Sequence, residues 1–194
     1  MLRKIPVCTV IFVAASVALG QDLWDLARTE IGGKTVAIEY GRPRLNGRSI
    51  PDLMKQLPAD HVWRAGSGPM TLLMTPIDLS IGGKRVPAGN YSLYMYCPAK
   101  GDYALLVNSD IGVQEEGAFP KAAWDRSNRQ YPHFMDYTMA IGDKEVARIP
   151  LKQGTAPRKA EVLTYSFEPA AKGSLLTIAW GDQVWTAEFQ PAAK

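Results

Sequence analysis

The chain has 194 residues, a formal charge of +3 and 46% hydrophobic residues. That length suits one domain with a sizeable core. The near-balanced charge excludes the strong basic excess of a nucleic-acid-binding protein.

Arg3 and Lys4 precede a largely apolar stretch, residues 7–19, which ends in Ala18-Leu19-Gly20. A short cationic region, an apolar region and small residues before a cut make a secretory signal peptide. Residues 1–20 are therefore expected to be a leader, and residues 21–194 a single exported domain, periplasmic or extracellular. The apolar stretch is short of the roughly 20 residues of a membrane span, so no span is expected after cleavage. Loss of Arg3 and Lys4 lowers the formal charge from +3 to +1. Cys8 leaves with the leader. Cys97 then stands alone, so no internal disulfide forms and the core must stabilise the fold.

Residues 22–29 read as one or two helical turns, with Leu23, Leu26 and Ala27 on one side. The next segment alternates: Val36, Ile38 and Tyr40 against Thr35, Ala37 and Glu39. A period of two puts each set on one face of a sheet. Ser49 can cap a short helix over residues 49–57; Pro51 suits its first turn, and Leu53, Met54 and Leu57 share a face. The alternation returns at Tyr91, Leu93, Met95 and Cys97, then at Tyr103, Leu105 and Val107. Residues 110–133 form the least regular stretch and read as a long loop. Residues 153–159 read as an exposed connection. Three further alternating runs follow: Leu163, Tyr165, Phe167; Leu176, Ile178, Trp180; and Trp185, Ala187, Phe189. Gly181-Asp182 reads as a hairpin turn between the last two.

A recurrent phrase supports many hairpins. Ile31-Gly32-Gly33-Lys34, Ile81-Gly82-Gly83-Lys84 and Ile141-Gly142-Asp143-Lys144 each place turn residues after an isoleucine. They read as three hairpins solving one turn problem alike, since the segments between them do not match. The expected fold is all-β: a single antiparallel β-sandwich, jelly-roll-like, with one or two short helices.

Catalytic patterns are sparse. Gly66-Ser67-Gly68 lacks the full nucleophile-elbow frame, and Gly82-Gly83-Lys84 lacks the rest of a phosphate-binding loop. Glu115-Glu116 are adjacent, and adjacent residues of an extended chain point apart, unlike a glycosidase pair. His61, Met95 and Cys97 are soft-ligand types of the kind exported copper proteins use, but no recognised metal spacing joins them. No cofactor or resident metal is expected.

The arginines are the leading candidates. Arg42, Arg44, Arg48 and Arg64 lie within 23 residues, counting both ends (64 − 42 + 1). A guanidinium offers a rigid fork of donors for carboxylate or phosphate. One reading is an anion-binding cleft. The competing reading is an architectural network with Asp52, Asp60, Asp78 or Glu39. Tyr94, sharing a face with Tyr96, would be a stacking platform if exposed and ordinary core if buried.

The ordered set of phrases Arg42-Pro43, Gly47-Arg48-Ser49-Ile50, Trp63-Arg64-Ala65-Gly66 and Pro87-Ala88-Gly89-Asn90-Tyr91 resembles the DUF2911 family, exported bacterial proteins of unknown function. The resemblance covers nearly all of residues 21–194. It implies a leader-bearing, β-rich domain and supplies no activity, ligand or catalytic residue. One departure is local: the family's Ala-Asn-Glu-Ala-Thr-like run is replaced here by Gly66-Ser67-Gly68-Pro69-Met70-Thr71.

The expected function is a non-catalytic binding or envelope-associated module for a small anionic or sugar ligand. Its candidate contacts are Arg42, Arg48, Arg64, Tyr94 and His61. The alternatives are a hydrolase acting on envelope or sugar material with His61 as general base, and a copper-handling protein using His61, Met95 and Cys97.

Overall fold

A computed structural model describes residues 24–68, 70–111 and 137–193. The proposed leader, Glu115-Glu116, His133 and most of the long irregular stretch lie outside the described residues.

The described chain builds two antiparallel sheets. The first contains β1 (Trp24–Ile31), β2 (Lys34–Gly41), β3 (Val62–Trp63), β4 (Thr71–Thr75), β7 (Gly89–Tyr96), β8 (Ala104–Asn108) and β9 (Glu145–Pro150). Their order is β1-β2-β4-β7-β8-β9, with β3 also paired to β7. The second sheet contains β5 (Leu79–Ile81), β6 (Lys84–Val86), β10 (Lys152–Ala170) and β11 (Gly173–Pro191), in the order β10-β11-β5-β6. Helix is confined to α1 (Ile50–Met54), α2 (Tyr137–Ile141) and one 3-10 turn at Gly142–Lys144 among the described residues. No described helix is long and apolar enough to cross a membrane.

The expected sandwich is present, and the alternating sets line it. Val36, Ile38 and Tyr40 of β2 bury between the sheets with Leu93, Met95 and Cys97. Leu163, Tyr165, Leu176, Ile178, Trp185 and Phe189 meet them from the second sheet. The apolar area removed from water here is the main stabilising term.

The first sheet is also covered on its outer face. Val62, Tyr94, Ala104 and Leu106 pack there against Tyr137 and Ile141 of α2. This corrects the stacking-platform reading of Tyr94. Its side chain is fully buried, with its ring 4.7 Å from that of Tyr137. The helix is pinned by polar contacts: Asn108 Nδ2 donates to the Tyr137 hydroxyl at 2.9 Å and to the Ile141 carbonyl at 2.8 Å.

Two of the three glycine phrases are hairpins. Ile31 pairs with Lys34 and Ile81 with Lys84, and all four intervening glycines have positive φ, from 52° to 82°. Two left-handed residues in succession are what a two-residue hairpin matching strand twist requires. The third phrase is not a hairpin. There Ile141 ends α2, Gly142 opens the 3-10 turn, and neither Gly142 nor Asp143 has positive φ.

Three further expectations are corrected. Residues 24–31 are strand, not helix, because β1 pairs along its whole length with β2. Residues 153–159 are exposed as expected, yet belong to β10. Gly181-Asp182 is not a hairpin turn: β11 runs through it, and the hairpin closes instead between Ala170 and Gly173. Gly181 has φ 63°, faces Ala160, and sits where the β10–β11 register shifts. A positive-φ glycine at a register shift marks a β-bulge, which bends the strand.

Candidate functional site

The arginine phrases and the open space beside α1 are separate structures. The first is a junction between the sheets. β2 ends at Gly41, and the chain then crosses to the second sheet. There Leu163 N donates to Pro43 O at 3.0 Å and Leu45 N to Glu161 O at 2.9 Å, around an Arg44–Val162 bridge. Pro43 cannot donate, but as an acceptor it serves this edge pairing.

The segment Ala65-Gly66-Ser67 docks against Gly41. A Cβ at Gly41 would lie 1.8 Å from the Ser67 carbonyl oxygen, and one at Gly66 would lie 2.7 Å from Thr71 Oγ1. Close backbone approach therefore requires glycine at both positions. Ala65 has φ 56°, and its carbonyl accepts from Tyr165 Oη at 2.8 Å and Thr71 Oγ1 at 3.1 Å. Tyr165 N in turn donates to Tyr40 Oη at 3.0 Å, and Tyr40 Oη donates to Asp25 Oδ2 at 3.2 Å. Burial pushes the Tyr40 hydroxyl up to about 12. It stays neutral and serves as both acceptor and donor in this chain. Trp63 stacks on Trp180 with ring centroids 5.1 Å apart.

The arginines serve this junction. Arg42 Nη1 lies 3.6 Å from Asp25 Oδ2. Arg48 Nε donates to Leu45 O at 2.8 Å and its Nη2 to Arg44 O at 3.0 Å, closing the turn through Asn46 and Gly47. Arg64 Nη1 reaches Gly68 O at 3.4 Å. Of the expected acidic partners, Asp78 binds Arg85 and Asp52 binds Lys55. The Asp25 partner was missed because residues 22–29 were read as helix.

The second structure is a cavity of about 450 Å³ between α1 and one end of the sandwich. Its helix is placed by local rules. Ser49 caps it by accepting from Asp52 N, Pro51 occupies its first turn, and Ile50 is its buried anchor against the core. Gly181 makes room: a Cβ there would lie 2.8 Å from Ile50 Cγ1. The bulge in β11 thus sets the seat of α1. Ile50, Met54 and Leu57 form the helix wall, and Pro98 and Ala99 continue it.

His61, Cys97, Tyr103, Gln153 and Gln183 supply the polar lining. The β3–β7 ladder holds His61 beside Cys97, whose N–H donates to His61 O at 2.8 Å. Gln153 Nε2 donates to Gln183 Oε1 at 2.7 Å, across the paired β10 and β11. The His61 imidazole, the Tyr103 hydroxyl and the Gln153 carboxamide oxygen have no hydrogen-bond partner among the described residues. Lys55 is the cationic lining residue, and Asp52 pairs with it at 3.0 Å.

His61 lines the cavity, and its imidazole has no orienting partner among the described residues; a general base must reach the proton of its substrate. The cavity is poorly equipped for thiolate chemistry. Burial pushes the Cys97 thiol from 9.0 up to about 12, so it is protonated near neutral pH. The thiolate is both the nucleophile and the metal ligand. Met95 is buried in the core, and no group of three His, Cys, Asp or Glu side chains among the described residues is placed to hold a metal.

Of the five predicted contact residues, only His61 lines the cavity. Tyr103, Gln153 and Gln183 were not foreseen. They come from three separate strands or strand ends, and no short-range spacing links them.

The family model described as protein of unknown function (DUF2911) matches residues 24–189. No curated protein and no solved structure gives a match.

Proposed function

The chain belongs to the DUF2911 family, and from that premise we propose that it is a non-catalytic binding module whose ligand enters the cavity beside α1. One observation carries the reading. The cavity combines apolar walls with the His61 imidazole, the Tyr103 hydroxyl and the Gln153 carboxamide oxygen, which have no hydrogen-bond partner among the described residues. Small-molecule sites have this make-up, a mostly apolar concavity with a few placed polar groups, in a volume of about 300–1,000 Å³. The arginine phrases maintain the scaffold. The domain works outside the cytoplasm, a reading supported by the leader-like pattern of residues 1–20.

A thermal-shift screen tests the binding reading. The panel comprises anions, sugars, copper salts and neutral aromatic compounds, applied to the wild type and to Ala99→Trp. Ala99 is an exposed residue of the cavity lining, so a large ring there is expected to obstruct the cavity. A ligand that binds only the folded state raises Tm. The expected result is a shift in the wild type that Ala99→Trp abolishes and Arg48→Ala preserves. A panel that shifts nothing contradicts the proposal, as does a shift that survives Ala99→Trp. Export is tested by N-terminal sequencing of the extracytoplasmic product. A start at Gln21 supports it, and an uncut chain retained in the cytoplasm contradicts it.

A further inference from the structure

Resting on the cavity as the binding site, we infer that its ligand is an uncharged small molecule with an apolar body and an amide-like head carrying both a hydrogen-bond donor and an acceptor. The charge follows from the lining. Lys55 pairs with Asp52, its side chain is largely exposed to solvent and so adds little to the field inside, and no carboxylate lines the cavity. An anion entering would give up its hydration without gaining an unpaired cation, which disfavours it. A sugar carries hydroxyls around its whole ring. Here one side of the space is the Ile50, Met54 and Leu57 wall, where such hydroxyls would go unsatisfied.

The head group follows from the unpaired polar atoms. The Gln153–Gln183 contact fixes the orientation of the Gln153 amide: its nitrogen is engaged and its carbonyl oxygen is left as an acceptor. The Tyr103 hydroxyl remains neutral, because burial raises it above its ordinary value, and it offers a donor. Its ring is held by Trp185, 5.5 Å away and tilted at 38°. His61 adds a further polar residue to the lining. An acceptor and a donor on a fixed frame match a ligand that supplies one of each, as a carboxamide does. The apolar wall takes the body of such a molecule.

Three near-isosteric probes separate the features: 2-naphthamide (neutral head), 2-naphthoate (anionic head) and 2-methylnaphthalene (no head). Each is titrated into the full-length chain with fluorescence or calorimetric readout. The inference predicts that 2-naphthamide binds about tenfold more tightly than either of the others, as for one or two added hydrogen bonds. Tyr103→Phe and Gln153→Leu, checked for unchanged melting, are each predicted to weaken 2-naphthamide by roughly three- to tenfold. They should leave 2-methylnaphthalene unaffected. Naphthoate binding as tightly as the amide overturns the ligand class. If that binding is lost in Ala99→Trp, the cavity still stands as the binding site. Equal binding of all three probes overturns the role of the head group. Failure of 2-naphthamide to bind overturns the inference, and the broad thermal-shift panel then decides the binding-module reading by itself.

Discussion

The junction at Gly41, Ala65 and Arg42 and the cavity beside α1 teach opposite lessons about what conspicuous sequence means. The junction holds several of the chain's memorable phrases, and many of its polar groups answer one another: Ala65 O takes two donors, and Arg48 closes its own turn, while Arg42 Nε and Trp180 Nε1 are buried there without a hydrogen-bond partner among the described residues. The cavity is assembled from residues with no shared motif, and the His61 imidazole, the Tyr103 hydroxyl and the Gln153 carboxamide oxygen have no partner there among the described residues. Density of arginine and glycine here marks places where backbones meet. Polar groups left without a protein partner beside an open apolar space mark where something else could bind.

The most severe way to test that contrast is to force the junction apart. Gly41→Ala places a Cβ 1.8 Å from a backbone oxygen, with no flexible side chain able to yield. We expect a loss of about 3 kcal/mol or more, by analogy with overpacked cores, measured by urea denaturation. Near-normal stability would show that the Ser67 segment docks more loosely than described. A milder cut is Tyr165→Phe, which removes one donor from Ala65 O while Thr71 keeps the other. About 1–2 kcal/mol is expected. Adding Thr71→Val should cost more than the sum of the two single changes, because the buried carbonyl then has no donor.

Alkaline pH probes the same interior without mutation. Tyr40 is raised to about 12 from 10.0, and Cys97 to about 12 from 9.0, both chiefly by burial. Each binds its proton more tightly in the folded chain. Their contribution is fully present below about pH 9, begins to fall as unfolded-state thiol and phenol ionise, and is lost by about pH 12. The expected trace is a flat Tm to about pH 9 and a decline above it. A Tm rising through that window would contradict the burial of these groups. The smallest effect is expected at Arg48, whose side chain is exposed and bonds only its own turn. Arg48→Ala should cost about 1 kcal/mol or less and leave ligand affinity unchanged in the same titration.

The fold was legible where local and global demands agree. Val36, Ile38 and Tyr40 alternate because β2 faces the core on one side, and the two Ile-Gly-Gly-Lys phrases turn because both glycines accept positive φ. Ser49 and Pro51 announced α1 for the same reason: capping is local chemistry. It failed where a distant partner decides. Residues 22–29 carry a helix-like spacing, but the pairing of residues 24–31 with β2 overrides it. Gly181-Asp182 carries a turn signal that the structure uses as a bulge, since Ile50 of α1 packs onto it. Tyr94 could be read as a platform or as core because the sequence does not show that α2 covers the sheet's outer face. The cavity was illegible in principle. His61 drew attention as a metal or acid–base candidate, whereas Gln153 and Gln183 become neighbours only through the β10–β11 pairing.

The most direct measurement is a crystal structure of the protein soaked with 2-naphthamide. The account predicts ligand density against Met54 and Leu57, with the amide between Tyr103 and Gln153 and the Arg42 junction unchanged. Density at Arg42 and Arg64, with the space beside α1 unaltered, would contradict it.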